Sequence, residues 1–566
     1  MTGDPLPLPV VDLRDRIALG LARGASLLHA EERAVAERVL GLEGAPALLL
    51  ARLSGRRVDV FRVPDLIAAG VDDVPGALAA LASIALVDDE LSWTRRAEVA
   101  TREVLAQGCA ALGLSQGGRR AELAARLDGH EDWDEAPWVR LVAAPILLRL
   151  ERMGTLQVRP DRSSAVLARM GRLRWPDYPT TGLSSLLPDR AAWDRWEALV
   201  DLDGAPPVEA ALDALAWPAW PPGGLDRRDA LGHDLREHAR AEERAGRLEE
   251  AADLWARLES VGQGGRDHVV RRARCVERAG RVEEALSLLE EGRDAGDGAA
   301  RIAVARAGRR VAASLGRAWV PDPPLATPVR RTLRLDRVAD GGRRPRYRVD
   351  GHARLVEDAV VACLARQGRR AVHGEGSTWS TLGALVFADA LFAPVPGQLP
   401  VPFLTGPLDG GTPAFAARRP GLVQALLDRI DAGEAPALVA QGWARLEGAL
   451  VAGVSWDLAT RDELVGIAAA LGPAGLRAVL VPWLRWGWRA LGGLPDLVVL
   501  DGPEVRVDGL HPGAVPSGVH LVEVKGEQDS LRDAQRVWLD RFARAGVSAE
   551  VWWIVGGPGA AGRGVG

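Results

Sequence analysis

Lysine is nearly missing from this chain: one, Lys525, stands among 566 residues, so 70 of the 71 Lys and Arg side chains are arginine. Asparagine is absent, tyrosine occurs twice and phenylalanine six times, while Gly, Ala, Arg, Pro and Trp are plentiful, which marks a GC-rich coding bias. A position that keeps lysine against that bias needs what arginine cannot supply, a compact ammonium whose pKa moves on burial. Cysteine is scarce too, and Cys109, Cys275 and Cys363 lie far apart without paired spacing. That argues against a disulfide framework or a zinc site and leaves them as small buried hydrophobes. The first residues lack the basic and apolar segments of a secretory signal, and no uninterrupted apolar run is long enough to span a bilayer, so a cytoplasmic protein with no membrane partner is expected. With 47% hydrophobic and 26% charged residues the chain reads as soluble and globular, and 566 residues exceed what one core holds.

The neighbours of Lys525 carry chemistry. Gly492-Gly493-Leu494-Pro495-Asp496 runs into the apolar stretch Leu497–Leu500, a turn feeding a strand that opens on a carboxylate. A second apolar strand, His520–Val524, puts Glu523 and Lys525 on one face because strand side chains repeat every two residues. Two such strands project Asp496, Glu523 and Lys525 together. The pattern Pro-Asp…Glu-x-Lys suits Mg²⁺ or Mn²⁺, expected here as a pair of ions, held by two carboxylates and the carbonyl of Val524. The lysine then orients or deprotonates the attacking water, or neutralises charge building on a phosphate. Next, Leu531, Val537, Trp538 and Phe542 make the stripe of an amphipathic helix, with Asp529 as its expected N-cap and Gln535 toward the strand ends. Val547–Val555 supplies a further strand.

Pro495-Asp496-Leu497, Glu523-Val524-Lys525-Gly526, Asp529-x-Leu531, Gln535-x-x-Trp538-Leu539 and Ala545-Gly546-Val547 resemble the VRR-NUC domain of the PD-(D/E)xK nuclease superfamily. An upstream block resembles the Fanconi-associated nuclease family: Val356-Glu357-Asp358, His373-Gly374-Glu375-Gly376-Ser377, Leu385 through Phe392, Pro402-Phe403 and Pro407-Leu408-Asp409. That resemblance implies a third metal ligand at Glu375, 5′-flap incision, 5′-to-3′ stepwise cleavage and a role in DNA repair including interstrand crosslinks. Ala388, Leu404, Glu527 and Ser530 depart from the family pattern, the second and last at positions expected to face substrate phosphates.

The rest of the chain reads as α-rich and multidomain. Residues 1–95 suggest a winged-helix-like domain in which Arg52, Arg56 and Arg57 grip phosphates. Residues 96–222 hold a unit that looks like a SAP helix-turn-helix, with Arg119 and Arg120 opening its second helix, a natural phosphate contact. Within 223–320, Ala245-Gly246-Arg247-Leu248-Glu249-Glu250-Ala251 recurs 34 residues later as Ala279-Gly280-Arg281-Val282-Glu283-Glu284-Ala285, the tetratricopeptide spacing. Such helical repeats read as a brace, with a protein partner a second use. An α/β nuclease domain is expected over 345–566, with a helical insertion at about 420–480. The net charge of −5 does not exclude a nucleic-acid partner, because local charge decides, and Arg330, Arg331 and Arg334 open an arginine-rich stretch that continues to Arg348. Branched or flapped DNA is the expected partner, with the protein nucleoid-associated when acting on it. Two alternatives share the same residues: an inactive DNA-junction binding scaffold, and a VRR-NUC four-way-junction resolvase.

Overall fold

A computed structural model describes residues 6–56, 58–157, 170–201, 206–217, 225–265, 267–294, 297–320, 324–338, 345–374, 376–487, 491–501 and 518–557. The first unit packs α1 (Leu8–Gly24), α2 (Ala30–Leu40), α3 (Gly44–Ser54) and α4 (Val74–Ser83) around two very short strands, β1 (Val60–Arg62) and β2 (Val87–Asp88). Two- and three-residue strands cannot stand alone. The strand that pairs antiparallel with both is β3 (Trp138–Leu141), which lies in sequence beyond α5 (Trp93–Val99), α6 (Arg102–Ala111) and α7 (Arg120–Leu127). The next helix, α8 (Ala144–Thr155), then packs along α1 so closely that a Cβ at Gly20 would meet the Leu150 carbonyl oxygen at 2.3 Å. The expected boundary at residue 95 is therefore corrected: the first core draws in Val139, Leu141, Leu147 and Leu150. Helices α5–α7 form their own small core around Leu105, Cys109, Leu123 and Trp133.

A helical stack follows. After α9 (Arg190–Val200) and α10 (Val208–Ala216), the helices α11 (Leu225–Ala245), α12 (Leu248–Ser260), α13 (His268–Arg278), α14 (Val282–Glu291) and α15 (Gly298–Ser314) each pack on the next. The sequence repeat is thus a structural one. Its glycines, Gly246 and Gly280, sit at φ +82° and +89° just ahead of α12 and α14, a left-handed conformation that side-chain-bearing residues resist.

The C-terminal unit is built on a seven-stranded sheet in the order β6 (His352–Arg354), β5 (Arg346–Val349), β4 (Val329–Val338), β10 (Ser548–Gly556), β9 (Gly518–Lys525), β8 (Leu497–Asp501), β7 (Arg370–His373). The strands β4, β10 and β9 run parallel, and β8 and β7 are antiparallel to their neighbours. The sheet begins at Val329, ahead of the expected boundary at 345, because the arginine-rich segment opens with the strand that pairs with the outer edge of β10, several of its side chains remaining exposed.

Strand alternation sorts the two faces. Val522, Val524, Trp552, Ile554 and Leu335 face α16 (Val356–Arg366) in one core. Leu521 and Ala549 face the other side, where α23 (Asp533–Arg544), the crossover from β9 to β10, buries Trp538 and Phe542. That second core is the largest. It joins α17 (Ser377–Val386), α18 (Ala388–Leu391), α19 (Ala414–Ala417) and the inserted helices α20 (Pro420–Asp431), α21 (Ala435–Leu446) and α22 (Arg461–Trp486), and it takes in Trp193 and Trp196 of α9. Against the sequence expectation, α22 is long and apolar enough by length and composition to cross a membrane. It breaks at Gly472 (φ 62°, ψ −178°) before Pro473 and buries Leu464, Ile467, Leu476, Leu480 and Trp483 in this core.

Candidate active site

Three strand ends and one helix start converge at the C-terminal end of β9. Asp496 immediately precedes β8, and its Oδ2 accepts the Val524 N–H at 2.6 Å, so the first carboxylate is fixed against the backbone of the second strand. Glu523 is fully buried, and Lys525 Nζ donates to its Oε1 at 2.6 Å. Gln535, in the first turn of α23, donates its Nε2 to the same Oε1, while its own Oε1 accepts the Arg532 N–H at 2.9 Å and so caps the helix. The expected N-cap Asp529 serves elsewhere: its carboxylate accepts the Gly526 N–H at 2.7 Å and closes the turn after β9, which delays the helix to Asp533.

Burial pushes the Glu523 carboxyl up to about 8, reinforced by the nearby Asp496 charge and opposed by Lys525. Asp496 is likewise raised, first by burial, with the Val524 N–H and Lys525 pulling the other way. A carboxylate not selected from the sequence, Glu357 in the first turn of α16, adds to that rise through its charge. Its signal was the acidic start of an apolar helix, which reads equally well as ordinary helix capping.

The donor set suits a hard divalent cation. Among the described residues Glu523 Oε2 is buried and no donor reaches it; its neighbour is the Asp496 carboxylate, and two such oxygens side by side are costly unless a cation or a shared proton lies between them. Lys525 and Gln535 occupy Oε1 and leave Oε2 for that cation. Val524, whose carbonyl was the expected backbone ligand, is held against Asp496 through its N–H. Glu375 lies outside the described residues. The residues on either side do reach the site: Gly374 donates its N–H to the Asp496 carbonyl at 2.7 Å, and Gly376 lines the same open cavity of about 590 Å³ as Asp496, Arg532 and Gln535. A Cβ at Gly374 would lie 2.4 Å from the Pro495 carbonyl oxygen, so this close approach requires glycine.

The arginines selected from the sequence divide by what they touch. Arg52 and Arg56 are exposed, the latter over the Phe61 ring at 5.8 Å, and Arg57 lies outside the described residues. Arg119 is exposed, whereas Arg120 is spent on the carbonyls of Ala100 (2.9 Å) and Glu98 at the end of α5, a structural tie rather than a free phosphate contact. Arg331 is held by Glu550, while Arg330 and Arg334 are exposed and make no ion pair among the described residues. Leu404 and Ala388, two departures from the family pattern, are buried in the large core, and Glu527 pairs with Arg337 at 3.3 Å.

The VRR-NUC domain family matches residues 432–553. Fanconi-associated nuclease 1 of Ailuropoda melanoleuca is 34% identical over 206 residues, 35% of this chain and 19% of that protein, and the Oryza sativa homologue is 31% identical over 214 residues, 36% and 21%. The chain thus spans about a fifth of the length of these curated relatives. The similarity of fold is wider: a crystal structure of paFAN1 bound to 5′-flap DNA with a gap superposes with a TM-score of 0.76 at 25% identity, covering 98% of this chain and 100% of that one. The chain thus carries a VRR-NUC match at its C-terminal end, resembles Fanconi-associated nuclease 1 homologues in sequence over about a third of its length, and shares the fold of paFAN1 along nearly all of it.

Proposed function

We propose that this chain is a divalent-metal-dependent, structure-selective DNA nuclease that incises 5′ flaps and degrades DNA stepwise from 5′ to 3′ in DNA repair, including crosslink processing. The carrying observation is the buried Glu523 Oε2, which no donor among the described residues reaches, beside the Asp496 carboxylate and the chain's lone lysine. A bound Mg²⁺ or Mn²⁺ supplies the positive charge that polarises the phosphodiester and lowers the pKa of water.

The protein groups do the positioning. Asp496, Glu523 and the Val524 carbonyl present oxygens from adjacent strands, and Glu375 is the further ligand the family resemblance implies. Gln535 fixes the rotamer of Glu523. Lys525 sets a compact cation beside the developing phosphate charge and orients the attacking water. The flap preference rests on the likeness to paFAN1, which was crystallised with such DNA.

A labelled 5′-flap substrate incubated with Mn²⁺ and with EDTA tests the reading, together with nicked, gapped and four-way substrates. Metal-dependent cuts near the flap junction are expected. Asp496→Ala should abolish them while leaving flap binding within a few-fold of wild type. Intact substrate in Mn²⁺ refutes the assignment.

A further inference from the structure

Two doublets in the sheet, Arg330-Arg331 and Trp552-Trp553, are each divided by strand alternation. Arg331 and Trp552 point to the α16 side, where both bind the Glu550 carboxylate, the indole at 3.0 Å. Arg330 and Trp553 take the opposite face, the one that carries Glu523 and Lys525. The register makes this explicit. Trp553 stands directly beside Lys525 on one flank and beside Thr332 on the other, while Val551 links Glu523 to Arg330 and Val555 adjoins Arg334. Neighbouring strands are about 5 Å apart, so Trp553 is one strand from the lysine and the arginines are two.

This face differs from the rest of the sheet. Trp553 is half-buried, and its indole N–H is buried with no hydrogen-bond partner among the described residues. The Arg330 guanidinium lies 5.9 Å from the ring centroid. Arg330 and Arg334 are exposed and make no ion pair among the described residues. A large aromatic kept partly open beside two exposed guanidinium groups, in register with Lys525, has the composition of a single-strand nucleotide site. The ring stacks any base, and arginine takes the backbone phosphate.

The geometry points to Trp553, flanked by Arg330 and Arg334, as a platform for a nucleotide adjoining the phosphate to be cut; this rests on the nuclease reading and extends it. Base stacking there fixes where the strand lies relative to Lys525. Trp553 is a positioning residue for the substrate rather than a participant in bond breaking.

The test uses the full chain and 5′-flap DNAs in which each nucleotide near the cut site is replaced in turn by an abasic residue. Binding is measured in EDTA, and cleavage of the same DNAs in Mn²⁺. At one position wild type should bind the base-bearing DNA about tenfold more tightly than the abasic one. Trp553→Leu should bind both alike, while Trp553→Phe restores most of the discrimination, which a merely structural role would not produce. Arg330→Gln and Arg334→Gln should weaken both DNAs equally and flatten the salt dependence. Wild type indifferent to every abasic substitution, or Trp553→Leu retaining the discrimination, overturns the platform. Base-sensitive flap binding with no cleavage in Mn²⁺ upholds the platform and overturns the nuclease reading instead.

Discussion

Replacing Glu523 by glutamine should stabilise the metal-free protein while removing its activity. Burial and the Asp496 charge raise the Glu523 carboxyl from an ordinary 4.5 to about 8 in the fold. At neutral pH the folded protein therefore keeps a proton that the unfolded chain releases. A raised carboxyl favours the unfolded state increasingly as pH climbs from 4.5 toward 8 and costs nothing below 4.5. Each pKa unit is worth about 1.4 kcal/mol, so at pH 7 the penalty is about 3 kcal/mol. Glutamine cannot ionise and carries none of it. Its oxygen can keep the Lys525 contact at Oε1, and its amide nitrogen takes the place of the unpartnered Oε2 with a donor facing Asp496. Hydrogen exchange of the β9 peptide in EDTA, wild type against Glu523→Gln at matched pH, reads the difference locally. Protection should be equal near pH 4.5 and rise in the variant by about two orders of magnitude at pH 7. Mn²⁺ should then protect wild type and leave the variant unchanged. Equal or weaker protection in the variant at pH 7 would mean that Lys525 holds Glu523 ionised, and the reasoning from burial would be wrong.

Lys525→Arg should lower turnover at least about a hundredfold, since a planar fork replaces the point charge 2.6 Å from Glu523 in a buried niche; single-turnover cleavage in Mn²⁺ checks it, and near-normal rates would remove the argument from the lone lysine. Far from the site, Glu32 accepts from Arg190 (2.6 Å), Arg149 and the His29 N–H (2.9 Å). Burial alone would raise its carboxyl, but these partners hold it down to about 2. A depressed carboxylate contributes above its ordinary value and loses that contribution as pH falls from 4.5 toward 2. Glu32→Gln should therefore cost about 2–3 kcal/mol at pH 7 and little near pH 2, as read by denaturation of the N-terminal unit. Gly298 opens α15, where a Cβ would meet Val537 Cγ1 at 2.4 Å on the helix that carries Gln535. Gly298→Val should displace α23 and slow cleavage several-fold, and Val537→Ala should recover it; failure of that rescue would show that the stack does not set the position of Gln535.

The grouping of Asp496, Glu523 and Lys525 was legible in the chain because strand periodicity and residue chemistry act locally. Glu523 and Lys525 share a face whatever surrounds them, and the one retained lysine flagged the place. The 34-residue repeat was equally readable, since Gly246 and Gly280 answer a backbone demand at a fixed offset. Tertiary packing decided what depends on partners remote in sequence. β3 had to return from residue 138 to satisfy the edges of β1 and β2. Arg331 and Arg120 resemble free phosphate contacts until Glu550 and the Ala100 carbonyl are brought to them. Asp529 gave up the helix cap for a turn, and Glu357 joined the field at Asp496 only through the packing of α16 on the sheet. Residue type and period fix which side chains can act together; which are left free to act is settled by the long-range contacts that satisfy or bury them.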